Sequence, residues 1–143
     1  MEKLDVKIKL INGGKLPAYS RDGDVCLDCY ARCENPIVIE KKERVLIPLG
    51  FALELPENYE AIVRPRSGLN LKGIDISLGT VDSNYRGEVN ACLCNNSGAD
   101  FTVNNGDRIC QLAIREAPFI KWNVVEELSE TERGSNGFGS SGK

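Results

Sequence analysis

Leu78-Gly79-Thr80-Val81-Asp82-Ser83-Asn84-Tyr85-Arg86-Gly87-Glu88-Val89-Asn90-Ala91-Cys92-Leu93-Cys94 is the stretch whose reading decides the fold. A short apolar run, Thr80-Val81, ends in a carboxylate, and Ser83-Asn84 then turns the chain into Tyr85 and a second strand from Val89 to Cys94. Asn and Ser after a short strand mark a tight hairpin. The mouth of such a hairpin offers free backbone N–H and C=O groups, an acid on one arm and an aromatic face on the other. Those groups suffice to read a flat polar ring and to position a water. Taken alone, they also describe an ordinary hairpin with an exposed Asp.

Outward from the hairpin the chain keeps to short strands. Val6, Ile8 and Leu10 alternate with Lys7 and Lys9, a half-buried strand closed by Asn12-Gly13-Gly14. Further strand-like runs lie at Val25 to Ala31, Ile37 to Ile39, Val45 to Leu49, Phe51 to Leu55, Ala61 to Val63, Phe101 to Val103 and Ile109 to Ile114. A last apolar segment surrounds Trp122 to Val125. Turns recur roughly every ten residues, the spacing of an all-β sandwich or barrel. One segment reads as helix, Ser67 to Lys72, with Ser67 as N-cap and Gly73 as the stop. It is too short to be stable without packing. No repeat or linker divides the chain, so the expectation is one domain over 1–132 followed by a Gly-rich arm, 133–143.

The 143 residues suffice for one buried core. A net charge of −3 and the absence of His argue against a nucleic-acid surface and leave acid–base work to carboxylates. No apolar run is long enough to span a bilayer, and Met1-Glu2-Lys3-Leu4-Asp5 does not open a signal peptide, so a soluble cytoplasmic protein without a membrane partner is expected. Six cysteines need an account: Cys26, Cys29, Cys33, Cys92, Cys94 and Cys110. Cys26-x2-Cys29 suggests a zinc knuckle, but the second pair is Cys92-x-Cys94 within a strand-like run, where structural zinc sites use two knuckles. The plainer reading is reduced thiols filling a β core, with Cys92 and Cys94 pointing the same way from their strand.

Three stretches carry groups suited to an anion. Arg66-Ser67-Gly68 presents backbone N–H groups beside a guanidinium, although it also reads as a capped turn. Gln111 is the unusual polar group on the strand Ile109 to Ile114, either a satisfied edge position or a donor fixed toward a site. Arg108 can pair with Asp107 or with a distant acid. The tail from Arg133 to Lys143 is a flexible terminus by composition. Its single Arg, single Phe, hydroxyls and glycines are also what a mobile lid over a nucleotide needs.

Together these stretches resemble the trimeric deoxyuridine triphosphatases (dUTPases), whose five short motifs all occur here in order. Val25-Cys26-Leu27-Asp28-Cys29 resembles the first and Pro65-Arg66-Ser67-Gly68-Leu69 the second. Gly79-Thr80-Val81-Asp82 through Tyr85-Arg86-Gly87 resembles the third, Gly106-Asp107-Arg108-Ile109-Cys110-Gln111-Leu112 the fourth, and Arg133-Gly134 through Gly137-Phe138-Gly139-Ser140 the fifth. Cys26 stands where the family usually has Gly, Cys29 where it has Leu, Asn84 for a common Asp and Asn136 for a Gly.

The resemblance implies a jelly-roll-like β barrel with one short helix and a mobile C-terminal arm, assembled as a homotrimer with each active site built from three chains. It implies Mg²⁺-dependent hydrolysis of dUTP to dUMP and pyrophosphate, which keeps uracil out of DNA and supplies dUMP for dTTP synthesis. In that scheme Asp82 activates the water, and Asp28 holds Mg²⁺ through water. Arg66, Ser67, Gly68 and Gln111 bind the phosphate chain; Arg133, Gly139, Ser140 and Ser141 serve its far end. Phe138 stacks on the base, Tyr85 lies against the deoxyribose, and Gly79, Thr80, Val81 and Asn90 read the uracil edge. The rivals on the same barrel are a dCTP deaminase and a non-catalytic nucleotide-responsive regulator.

Overall fold

The computed structural model describes residues 2–77, 79–139 and 142. Ten strands and one short helix follow in order: β1 (Lys7–Leu10), β2 (Leu27–Tyr30), β3 (Ile37–Ile39), β4 (Arg44–Glu54), β5 (Tyr59–Pro65), α1 (Ser67–Leu71), β6 (Ile74–Ile76), β7 (Thr80–Val81), β8 (Glu88–Asn95), β9 (Phe101–Val103) and β10 (Arg108–Glu116). They pair as two four-stranded sheets, β1-β4-β8-β6 and β2-β10-β5-β7, and a two-stranded one, β3-β9. All the named pairings are antiparallel. The all-β expectation with one short helix is met.

β8 shows why the elements face as they do. Val89, Ala91, Leu93 and Asn95 are buried while Glu88, Asn90, Cys92 and Cys94 are half-exposed, the period of two that a pleated strand imposes. The inward set packs with Phe51, Ile47 and Leu49 of β4, Ile39 of β3 and Leu112 of β10 into one core. This alternation corrects the expectation that all six thiols fill that core. Only Cys29 and Cys110 are buried, opposite each other on β2 and β10. The hydrogen bond with Cys110, and then burial, push the Cys29 thiol up, which keeps it protonated and unreactive. Among the described residues no three His, Cys, Asp or Glu side chains gather to hold a metal.

Where the sequence suggests two strands, Val45 to Leu49 and Phe51 to Leu55, the chain runs as the single strand β4 with a bulge. Its register against β8 shifts between Pro48 and Ala52. Pro48 has no N–H to give the ladder, and Gly50 adopts φ +80, a conformation that costs glycine little. A Cβ on Gly50 would also lie 2.5 Å from the Gly14 Cα.

The helix is shifted from the expected one. Arg66, in extended conformation and without a side-chain cap bond, is the N-cap, so Ser67 is already helical. Gly73 does end it, at φ +91, donating its N–H to the Asn70 carbonyl. The apolar segment around Trp122 to Val125 forms no strand. Trp122 and Val124 are more than four-fifths exposed, because no sheet edge of the chain receives them. None of the described helices is long and apolar enough to cross a membrane.

Asn95 is the one fully buried uncharged polar side chain of the described core. Its Nδ2 donates to the Ile39 and Ala99 carbonyls at 2.8 and 2.9 Å, and its Oδ1 accepts from the Ser97 N–H and hydroxyl. It thereby ties the end of β8 to β3 and to the following turn. Asn95→Ala is expected to cost about 2–3 kcal/mol by stranding those partners. Urea unfolding at fixed protein concentration checks this, and a loss below about 0.5 kcal/mol would contradict the account.

Candidate functional site

The turn at Ser83-Asn84 forms as expected, but the strands it joins do not pair as a hairpin. β7 belongs to the sheet β2-β10-β5-β7 and β8 to the sheet β1-β4-β8-β6, so the turn bridges the two sheets, and glycines set its shape. β7 pairs with β5 through Ala61 opposite Val81 and Ile62 opposite Thr80. One residue earlier, the Val63 N–H donates to the Gly79 carbonyl at 2.7 Å. A Cβ on Gly79 would stand 2.2 Å from the Val63 carbonyl oxygen, so only glycine permits that approach. The Tyr85 N–H donates to the Asp82 carbonyl at 3.1 Å, closing a turn over Ser83-Asn84. The Tyr85 hydroxyl donates to the Glu88 carbonyl at 3.0 Å, and the side chain folds over Gly87, where a Cβ would stand 2.4 Å from the hydroxyl oxygen and 2.6 Å from the ring.

These contacts leave a cavity of about 230 Å³ lined in part by Val63, Gly79, Thr80, Asp82, Tyr85 and Asn90. That is below the roughly 300–1,000 Å³ of pockets that enclose drug-sized ligands, and suits a single ring. Asp82 lies on its rim, exposed. Behind the cavity, Arg32 clasps Glu88 through Nε and Nη2, both at 2.8 Å, and the Gly50 N–H donates to the same carboxylate at 2.8 Å. The Arg32 hydrogen bonds, followed by the Gly50 amide, hold the Glu88 carboxyl below the usual carboxylate range. The sequence reading omitted both residues: they lie 56 positions apart, with no local signal that pairs them.

A second polar cluster forms around Asp28. It is buried on β2, directly across from Gln111 on β10. Arg66 Nε and Arg108 Nη1 lie 3.8 and 3.6 Å from its two oxygens. The Arg66 guanidinium also donates to the Arg108 carbonyl at 3.1 Å. Arg108 thus takes the distant acid rather than Asp107, whose carboxylate accepts the Asn104 N–H. Next to Arg66, Ser67 is exposed, and a side chain on Gly68 would meet open space.

One chain does not bring these clusters together. In the sheet β2-β10-β5-β7, Asp28 and Thr80–Val81 occupy opposite edges. Three strand spacings separate those edges, roughly 14 Å. Along the strands, Val81 pairs near the start of β5, whereas Arg66 follows its end.

Among the described residues of the arm from Arg133 on, no hydrogen bond or ion pair reaches either cluster. The Ala117 N–H donates to the Asn58 carbonyl, and from Pro118 to Asn136 every residue is exposed. Arg133 Nε is spent on the Asn136 carbonyl at 2.7 Å, Phe138 is fully exposed, and Gly139 sits at φ +84. Ser140 and Ser141 lie outside the described residues.

Comparison with known proteins places this geometry. The dUTPase family model matches residues 12–142. The deoxyuridine 5'-triphosphate nucleotidohydrolase of Wolbachia pipientis subsp. Culex pipiens is 43% identical over 150 residues, covering 99% of this chain and 98% of that protein. The one from Treponema denticola is 46% identical over 142 residues, covering 97% and 99%. Among solved structures, a variant of the Staphylococcus bacteriophage 80alpha dUTPase with dUpNHpp shares the fold, with a TM-score of 0.89 at 24% identity, 99% of this chain and 100% of that one being covered. With a family match over residues 12–142 and two such relatives behind it, this chain belongs to the dUTPase family.

Proposed function

We propose that the protein is a dUTP diphosphatase, hydrolysing dUTP to dUMP and pyrophosphate. The observation that carries this reading is the one-ring cavity with the exposed Asp82 carboxylate on its rim and Tyr85 as its wall, in a chain of this family. Backbone groups of Gly79, Thr80 and Val81, with the side chain of Asn90, read the uracil edge. Uracil donates at N3 where cytosine accepts, so the wrong base leaves buried polar groups unpaired. The Tyr85 ring, held over Gly87, lies against the deoxyribose and leaves no room for a 2′-hydroxyl.

With no His in the chain, Asp82 is the base. It takes a proton as water attacks the α-phosphorus. The new P–O bond forms in line with the breaking bond to the bridging oxygen, and pyrophosphate leaves. Arg66, Ser67, Gly68 and Gln111 hold the phosphate chain, while Arg133, Gly139, Ser140 and Ser141 close on its far end and Phe138 stacks on the base. In this reading residues 1–132 are the barrel and 133–143 the lid.

Asp28 fits Mg²⁺ in one particular way. A single carboxylate cannot cage the ion, but Mg²⁺ keeps several waters and takes phosphate oxygens directly, so Asp28 would hold it through its waters. Bound there, it would neutralise charge on the triphosphate.

Because one chain holds the nucleoside and phosphate clusters apart, we infer a homotrimer whose active sites are shared between chains. The exposed Phe119, Ile120, Trp122 and Val124 support it, since a neighbouring copy would bury what the chain leaves in water. The free thiols suit a reducing cytoplasm. The test is pyrophosphate release from dUTP, dTTP, dCTP and UTP with Mg²⁺. Turnover is expected with dUTP alone; ammonia release from dCTP, or tight dUTP binding without turnover, would reject the reading.

A further inference from the structure

The carbonyl oxygen of Glu88 accepts two side-chain donors. The Tyr85 hydroxyl reaches it at 3.0 Å and Asn90 Nδ2 at 2.9 Å. Both donors line the cavity, so one backbone oxygen sets two of its walls. What fixes that oxygen is the side chain of the same residue. Three donors hold the Glu88 carboxylate: Nε and Nη2 of Arg32 as a bidentate fork, and the N–H of Gly50 in the β4 bulge. Arg32 is itself anchored, its N–H donating to the Pro48 carbonyl at 2.9 Å. The pair is largely shielded, with side chains 22% and 19% exposed.

The consequence concerns the Asn90 amide. An amide presents an N–H and a C=O side by side, which complements the O4 and N3–H of uracil. Turned over, the same amide complements the N3 and N4 amino group of cytosine. A freely rotating Asn would therefore read both bases. Turning this one over would set its Oδ1 against the Glu88 carbonyl, two acceptors facing each other. The amide is locked by the carbonyl, and the carbonyl by the clasp.

Building on the nucleoside reading of this cavity, we propose that the Arg32–Glu88 clasp is a positioning device for base selection, fixing the orientation of the Asn90 amide and the seat of the Tyr85 ring. Although Glu88 lines the cavity, the clasp acts through Asn90 and Tyr85 and not on the reacting atoms. Its loss is read in KM and in base discrimination, with the chemical step at Asp82 left as it is.

Glu88→Gln keeps the shape and an acceptor for Gly50 while removing the charged fork. The variant is expected to raise KM for dUTP about tenfold, with kcat changed no more than about twofold. The ratio of kcat/KM for dUTP over dCTP should fall about tenfold or more. Arg32→Lys should lie between wild type and Arg32→Met, because an ammonium holds one oxygen but does not fix the carboxylate plane. An unchanged KM and dUTP-to-dCTP ratio in Glu88→Gln overturns the proposal, as does a loss confined to kcat. Should Glu88→Gln not fold, Arg32→Lys decides: a wild-type ratio overturns the proposal and a reduced one supports it. Asn90→Ala separates the two levels. If it too keeps wild-type KM and discrimination, the nucleoside reading of the cavity is what fails. If it raises KM while Glu88→Gln does not, the clasp alone is rejected.

Discussion

Replacing Asp82 by Asn is expected to lower kcat for dUTP by roughly a hundredfold or more, the usual contribution of a positioned general base. The substitution is nearly isosteric and the side chain is exposed, so no core contact is lost. The hydrogen bond that closes the turn runs from the Tyr85 N–H to the backbone carbonyl of residue 82, and Asn keeps it. Only the capacity to accept a proton disappears. The other carboxylate lining the cavity, Glu88, is held by Arg32 and the Gly50 N–H. KM should change little, since the cavity walls stay where they are. Steady-state kinetics with a melting curve as control decide the matter. A folded Asn variant retaining more than about a tenth of wild-type turnover would remove Asp82 from its role.

What the sequence disclosed followed from how far each signal reached along the chain. The alternation in β8 and the turn at Ser83-Asn84 are local, and both are present in the structure. The bulge in β4 was visible as an interruption at Gly50 but not as continuity, because continuity depends on Glu88 receiving the amide that the ladder leaves unpaired. Trp122 to Val125 stood out because its apolar residues are real, yet a strand needs a paired neighbour and none of the described sheet edges pairs with it. The fork between Arg32 and Glu88 is written only in the folded register. Arg66, Asp28 and Gln111 were singled out one by one from motifs, and the sheet brings exactly those three together with Arg108. The separation of that cluster from Thr80–Val81, and the lack of pairing between β7 and β8, were legible only in the strand order.

Ending the chain before Arg133 is expected to lower kcat by about a thousandfold, the low end of what an arginine contributes to phosphoryl transfer, and to leave the fold intact. Described residues of the removed segment bond among themselves, through the Arg133 guanidinium and the Asn136 carbonyl, or to Thr131 just before the cut. None of its described residues belongs to the core, so the melting temperature should move by no more than a few degrees. Base binding should survive in large part, because the cavity beside the Ser83-Asn84 turn is lined by no described residue of the tail. The same variant examines whether sites are shared. A truncated chain keeps Asp82 and lacks the lid; an Asp82→Asn chain keeps the lid and lacks the base. If every site drew on one chain only, refolding the two together would yield no more activity than their separate residues. Sharing between chains predicts recovered turnover in the mixture, since some sites then combine an intact Asp82 with an intact Arg133. A mixture that stays as inactive as its parts, while mixed oligomers are demonstrably present, would confine each site to a single chain. That outcome would require the tail to fold back across its own barrel.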